Sequence, residues 1–482
     1  MAPLIKRRLG RTQRQVTTFG LGGQASIQWP AQGVNPVAII EKAYKLGVNY
    51  MDTSNIYGPS QKHYGEAFAR LGLSPASAEY DPSARQKIYL ASKTHIRTAK
   101  RPEGESFRTD FSQGMTDGFG VSTSVDDVRR SLSLMFGDGR GRYPEDSYLD
   151  CVHLHNINTM DEIDMLFEGM ENPSPDLPWI GSVAALLDLR EGTNRTGCNP
   201  GKEKLIRHIG ISGHWNTAAL IYAIQRDEKR IIDTLLVTIN PSDCLYMPHR
   251  YNAIATAAEA GMGVIGMKVF ADAAYYHKGL HLSNKPDDVY HQIGSTQLPS
   301  ADLIGYALSV EGVSNVIIGI GHVDEDPEKC QLEQNIRGAQ IKTPLDEKTM
   351  RQIEDRIVSA GKQAANSYFQ RKATGLTPPR NVGAEADSSM PQMERTAVRV
   401  SWDTAYAADS PIVRYEIVRN GELIGNVSHR PQYTRQRFHF TDVFGENHQK
   451  ATAGYMVIAV DARGNKAESH EVYADPDTVA RL

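Results

Sequence analysis

What is scarce in this chain narrows its class first. Only four cysteines, Cys151, Cys198, Cys244 and Cys330, occur in 482 residues, and their scatter lacks the spacing of a metal site. A reduced, cytoplasmic setting is the expectation. No apolar run is long enough to cross a bilayer. The opening Met1-Ala-Pro-Leu-Ile-Lys-Arg-Arg-Leu-Gly is basic, but no apolar core follows it, so no secretory signal is expected. Arg7-Arg8 reads as part of a surface strand rather than a twin-arginine signal. Neither sign of charge dominates, with Lys+Arg at 53 and Asp+Glu at 57. That balance argues against nucleic acid or an anionic membrane as the main partner. No Gly-x-Gly-x-x-Gly stands between a strand and a helix, so a Rossmann domain is not indicated. Gly137-Asp-Gly-Arg-Gly lacks that context and reads as an insertion.

What is present is a repeated alternation of short apolar runs and amphipathic helices. Strand candidates begin at Val16-Thr-Thr-Phe-Gly-Leu-Gly and continue at 47–52, 87–93, 149–155, 207–212, 234–240, 263–268 and 314–319. Helical patterns lie at 36–46, 124–136, 216–225, 252–260, 300–310 and 345–359. In the first, Val37, Ile40, Ala43 and Tyr44 share a face; the second opens on Ser124 and Asp127 as a capping pair. Eight strands alternating with helices predict an α/β fold, a (β/α)8 TIM barrel, with a doubly wound sheet as the weaker alternative. Segments 97–121, 138–147 and 171–201 show no periodicity and read as insertions. The first follows the third strand and is expected to cover substrate.

The composition changes beyond residue 359. A barrel over residues 1–362, a linker at 363–377 and a small all-β sandwich over 378–482 are expected. The sandwich rests on period-two runs at 397–402, 413–421, 422–427, 437–442 and 454–461, and on the Asn420-Gly421 turn. Pro378-Pro379-Arg-Asn-Val at the start of its first strand, Trp402 for its core and Tyr455 in Tyr-x-Val-x-Ala-Val-Asp resemble a fibronectin type III module. Such a module is expected to pack on the barrel or mediate self-association.

Three of the apolar runs end in groups that could perform acid–base chemistry. Asn49-Tyr-Met-Asp52 ends in a carboxylate, with Tyr57 five residues on. Ile88-Tyr-Leu-Ala-Ser-Lys93 ends in an ammonium, and Tyr148-Leu-Asp-Cys-Val-His-Leu-His155 in an imidazole. A phenol has an ordinary pKa of about 10, so Tyr57 needs a tuning partner to move protons at neutral pH. Lys93 would favour the phenolate, Asp52 would hold Lys93 charged, and His155 would orient a carbonyl oxygen. Taken singly, these residues are more often packing, snorkelling, capping or core groups. Together at barrel strand ends they favour catalysis, because that face carries the active site in such barrels.

The same residues resemble the tetrad of the aldo-keto reductases, and the likeness spans about residues 4–340. Arg8-Leu-Gly-Arg-Thr, Phe19-Gly-Leu-Gly-Gly, Met51-Asp-Thr-Ser-Asn-Ile-Tyr-Gly-Pro-Ser with Tyr64-Gly-Glu-Ala, and His208-Ile-Gly-Ile-Ser212 follow the family's order. The resemblance implies an NAD(P)-dependent oxidoreductase acting on a small carbonyl or alcohol. It implies cofactor contacts from Gly23, Ser212 and Lys268, and from Gly319, Gly321, His322, Gln334 and Asn335 after the eighth strand. The chain departs from the family pattern at Gly213-His214, Leu236 and Met267, and Asn240 is the candidate to compensate. Where an arginine or lysine clamp for a 2′-phosphate is expected, His322 stands with Asp324, Glu325, Asp326 and Glu328, which favours NAD over NADP. Polar insertions point to a sugar-like substrate. Two other classes are weighed: a nucleotide-binding regulatory or interaction protein with little turnover, and a metal-dependent barrel hydrolase using His153 and His155. No metal ligand set is assigned.

Overall fold

The alternating runs close into a parallel barrel in the computed structural model, which describes residues 3–103, 123–363, 375–387, 397–443 and 453–474. Its strands, first to eighth, are Phe19–Gly22, Tyr50–Asp52, Tyr89–Thr94, Leu149–Leu154, Ile206–Gly213, Ile232–Thr238, Gly263–Met267 and Val313–Ile318. Neighbours in sequence are neighbours in the sheet, and the eighth strand pairs the first. The register sets Asp52 beside Ala91 and Lys93 beside His153, so the polar strand ends converge at one rim. Leu9, Val16, Tyr50, Tyr89, Cys151, Leu236 and Ile265 fill the barrel interior. Leu9 and Val16 belong to a hairpin, Lys6–Arg8 with Gln15–Thr17, that packs against the opposite rim. Gly10 in its turn has φ +49°, and a Cβ there would strike the backbone of Met262 and Gly263.

Amphipathic helices cover the barrel. Pro36–Lys45 begins on Asn35, whose side chain accepts from the backbone N–H of Val37 and Ala38, with proline in the first turn. Ser60–Arg70 lies against Ser124–Phe136, and Gly65 permits the approach: a Cβ there would come within 2.6 Å of the Met135 carbonyl oxygen. The cap of Ser124–Phe136 is Thr123, not the expected Ser124–Asp127 pair; the Asp127 carboxylate is turned inward to Asn55.

The 171–201 segment is corrected more substantially. It contains a short strand, Ile180–Gly181, and the helix Ser182–Glu191, which buries Val183, Ala184, Ala185, Leu186, Leu187 and Leu189. A helix apolar on most sides has no stripe, so periodicity cannot reveal it. Ile180–Gly181 pairs antiparallel with Thr98–Lys100, so the start of the 97–121 insertion is also ordered; residues 104–121 of that insertion lie outside the described residues.

Beyond the barrel stand two antiparallel sheets. One consists of Arg380–Ala386, Ala397–Asp403 and Phe438–Val443. The other consists of Glu422–Ser428, Ile412–Arg419 and Ala453–Asp461, with Lys466–Glu468 and Val472–Ala474 paired to the last. Trp402, Tyr415, Phe438 and Tyr455 are buried between them. Asn420 and Gly421, at φ +49° and +84°, form the tight hairpin turn that the sequence signals. The sheets contact the barrel through Asn252, whose side chain pairs with the Ala407 backbone, and Gln225, which donates to the Gln432 carbonyl at 2.7 Å. Residues 364–374 of the expected linker lie outside the described residues.

Candidate active site

Tyr57 reaches the rim on a turn between the second strand and helix Ser60–Arg70. Its N–H donates to the Ser54 carbonyl at 3.1 Å and its carbonyl accepts from Ser60 N–H at 2.9 Å. Gly58, at φ +48°, takes the left-handed conformation that lets this turn close. Lys93, at the end of the third strand, forms a buried ion pair with Asp52 and donates to the Thr53 carbonyl at 2.8 Å. Its Nζ lies 4.7 Å from the centroid of the Tyr57 ring. His155 follows the fourth strand, and its ring centre is 6.0 Å from that of Tyr57, nearly edge-on. The four residues Asp52, Tyr57, Lys93 and His155 are therefore brought together.

Burial dominates the electrostatics. It pushes the Tyr57 phenol well above its ordinary value, with the Asp52 and then the Asp272 carboxylate adding to the effect. The Lys93 ammonium, expected to favour the phenolate, is committed to Asp52 and Thr53 and sits against the ring. Burial drives Asp52 up and Lys93 down, and each is opposed by the other, so the contact sustains them as an ion pair. His155 is held far below its usual range by burial, then by His95 and Lys93, and is neutral. His95, with its ring centre 4.0 Å away, is neutral for the same first reason, as is His214, pushed down to about 3.

A hydrogen-bonded chain braces His155 from behind. Ser54 Oγ lies 3.5 Å from His155 Nδ1 and donates to Asn55 Oδ1 at 3.0 Å; Asn55 Nδ2 donates to Asp127 Oδ2 at 2.7 Å. Burial pushes the Asp127 carboxyl up to about 6, against hydrogen bonds from Thr94 and Asn55 and the charge of Arg130. A carboxyl raised on folding contributes stability that is complete below its unfolded value near 3.8 and lost as the pH rises through about 6. Asp127→Asn is therefore expected to gain on the parent by about 2–3 kcal/mol between pH 4 and pH 7. Denaturant unfolding of both proteins across that range measures it, and parallel pH profiles would contradict it.

A cleft opens beside Tyr57 and runs between the ends of the first, seventh and eighth strands. Gly23, Lys268 and Gly319 line it, as do Asp52 and Met267. Gly23 has no space for a side chain, since a Cβ would lie 2.5 Å from the Asp52 carbonyl oxygen. The other expected cofactor residues are not among those lining this cleft. Ser212 accepts from Asn156 N–H at 3.0 Å, and Asn240 donates to the Lys268 carbonyl at 2.8 Å while accepting from the Tyr275 hydroxyl. Gly321 N–H donates to Gln331, and the His322 ring faces His291 at 6.3 Å. Gln334 turns to the Pro327 carbonyl, and Asn335 is buried.

Sequence reasoning missed the loop that forms much of the cleft. Phe270, Asp272, Tyr276 and Tyr290 come from the segment after the seventh strand, and Gln24 and Trp29 from the segment after the first. Lys268, Ala271, Asp272 and Ala273 all have φ between +48° and +67°, a conformation uncommon outside glycine. Asp272 anchors the turn, accepting from Lys268 at 2.8 Å, Lys278 at 2.9 Å and Ser283 N–H at 2.7 Å. The Lys268–Asp272 spacing and the aromatics Phe270, Tyr275 and Tyr276 are its signals in the sequence. His153, the other member of the suggested metal pair, lies 3.1 Å from Thr234 Oγ1, and among the described residues no group of three or more His, Cys, Asp or Glu is disposed to hold a metal.

A closed eightfold barrel with these groups at its rim defines a barrel enzyme class. Residues 18–357 match the aldo/keto reductase family, and the chain belongs to it; it is an oxidoreductase of that family. L-galactose dehydrogenase of Arabidopsis thaliana is 22% identical over 368 residues, covering 73% of this chain and 94% of that protein. Among solved structures, an aldo/keto reductase from Klebsiella pneumoniae in complex with NADP and acetate is 17% identical, with 73% of this chain and 95% of that one covered at a TM-score of 0.43. A second from that organism, in complex with NADPH, is 16% identical with 74% and 95% covered at a TM-score of 0.41. Among the described residues no helix is long and apolar enough to cross a membrane.

Proposed function

We propose that this protein interconverts a carbonyl and an alcohol with a nicotinamide cofactor, and that Tyr57 carries the proton. The observation that supports it is the meeting of Tyr57, Lys93, Asp52 and His155 at one rim of the barrel, opening into the adjacent cleft. That cleft suits an elongated cofactor. It has aromatic walls at Phe270, Tyr276 and Tyr290, a cation at Lys268 and close-packed backbone at Gly23 and Gly319. A bound reduced nicotinamide supplies hydride to the substrate carbon. The protein's own residues handle the oxygen. A phenol raised by burial stays protonated at neutral pH and is ready to donate. Lys93, held against the ring by Asp52, offsets the negative charge that appears when the proton leaves. Neutral His155 offers a single N–H to the carbonyl oxygen, in the tautomer that leaves Nδ1 unprotonated and only in contact with Ser54 Oγ at 3.5 Å, and Asn55 and Asp127 hold Ser54 in place behind the ring.

The substrate reading is a sugar-like polyol. His95, His155 and His214 are neutral imidazoles that can donate to and accept from hydroxyls, and Trp29 lines the adjacent cleft. The activity named for the plant relative falls in the same class. Residues 1–362 form the enzyme, 363–377 the linker, and 378–482 a fibronectin type III-like module. Four free thiols accord with a reducing compartment, the cytoplasm. Steady-state assays with NADH and NADPH against a panel of aldoses, and with NAD and NADP against their cyclic and open-chain alcohol forms, test the function. No turnover with any pair would reject it.

Cofactor choice follows from charge. The cations that could clamp a 2′-phosphate are already engaged: Arg337 with Glu328, Lys268 with Asp272 and Lys42 with Glu333. A phosphate must displace one of these carboxylates and faces Asp324 and Glu325 as well. NADH is therefore expected to bind at least as tightly as NADPH. Fluorescence titration at moderate salt measures this, and a clear NADPH preference would show that one of these ion pairs opens.

A further inference from the structure

The loop after the sixth strand touches both the barrel mouth and the C-terminal sheets. Near its start, Asn240 donates to the carbonyl of Lys268, which lines the cleft. At its end, Asn252 pairs with the backbone of a single residue beyond the barrel: Nδ2 donates to the Ala407 carbonyl at 3.0 Å, and Oδ1 accepts from Ala407 N–H at 2.9 Å. Both bonds are buried, so neither is replaced by water when broken.

His249 lies between these two ends and is fully buried. Its carbonyl accepts from Asn252 N–H at 3.2 Å and from Ile254 N–H at 2.9 Å, the latter a five-residue bond that makes residues 250–254 a π turn. Such turns are rare and are enriched at functional sites. Its Nε2 lies 3.1 Å from the carbonyl oxygen of His214, which follows the fifth strand. The His214 ring in turn contacts Thr238 Oγ1 at 3.2 Å. An unbroken series of hydrogen bonds therefore runs from Ala407, through Asn252 and His249, to the rim.

We propose that Asn252 and His249 are positioning residues through which the C-terminal module sets the conformation of the rim segments at 212–216 and 240–249, and with it cofactor affinity. The cofactor part rests on the function proposed above. The module is then a working part of the enzyme and not a detachable spacer. A second attachment, Gln225 to the Gln432 carbonyl, joins the same two bodies from the C-terminal end of helix Thr217–Arg226, and it serves as the control.

The test compares Asn252→Ala with Gln225→Ala in the full chain. NADH affinity is read by fluorescence titration and rim order by hydrogen–deuterium exchange without cofactor. Asn252→Ala is expected to weaken NADH binding about three- to tenfold and to speed exchange at 212–216. Gln225→Ala is expected to leave both near the parent values. Should Asn252→Ala not fold, His249→Leu replaces it, with His249→Gln restoring the donor and the parent behaviour. Equal effects of the two attachments, or unchanged exchange at 212–216 when the series is cut, would overturn the proposal. A parent protein that binds no nicotinamide would instead reject the proposed function, while the exchange comparison would still decide whether the module orders the rim.

Discussion

Tyr57→Phe is expected to lower turnover by a factor of about 10²–10⁴, the range a positioned acid–base group contributes, and to leave cofactor affinity nearly unchanged. Phenylalanine keeps the ring that lies against Lys93 and beside His155, so packing is preserved and only the hydroxyl is lost. Burial keeps the phenol protonated, which suits reduction. Oxidation of an alcohol requires the phenolate, so its rate should rise with pH in the parent and lose that dependence in the variant. Single-turnover and steady-state rates, each with a fluorescence titration of NADH, measure the effect. Near-normal turnover would remove Tyr57 from the chemistry.

Lys93→Met is expected to abolish turnover more completely than His155→Gln. Without the ammonium, nothing offsets the phenolate, and the Asp52 carboxylate that remains raises the phenol further. Glutamine at 155 can still donate to the carbonyl oxygen. The lysine variant carries a second expectation. Removing one partner of a buried pair leaves an uncompensated charge, a loss of about 3–5 kcal/mol, so Lys93→Met should melt earlier. Adding Asp52→Asn should restore much of that stability without restoring turnover. Recovery of turnover in the double variant would show that Lys93 serves the fold alone. The opposite ranking of Lys93→Met and His155→Gln would reverse the division of roles.

The barrel was legible because its strands are short apolar runs and its helices carry stripes, and both patterns are local. The strand-end positions of Asp52, Lys93 and His155 followed from the same patterns. Helix Ser182–Glu191 was not legible, because leucine and alanine on most of its sides erase the stripe that marks a surface helix. The loop after the seventh strand was missed for a different reason. Its role depends on where Phe270, Tyr276 and Tyr290 come to lie against Gly23 and Gly319, residues far away in sequence.

The residue types at the strand ends and the alternation of periods were thus determined by the sequence alone, since each depends on side chains no more than a few positions apart, and the balance of charge is a plain count over the chain. Tertiary structure decided the protonation of Tyr57, the commitment of Lys93 to Asp52 and the pairing of Asn252 with Ala407. Burial and hydrogen bonding sum over atoms brought together from distant parts of the chain, and no spacing in the sequence encodes that sum.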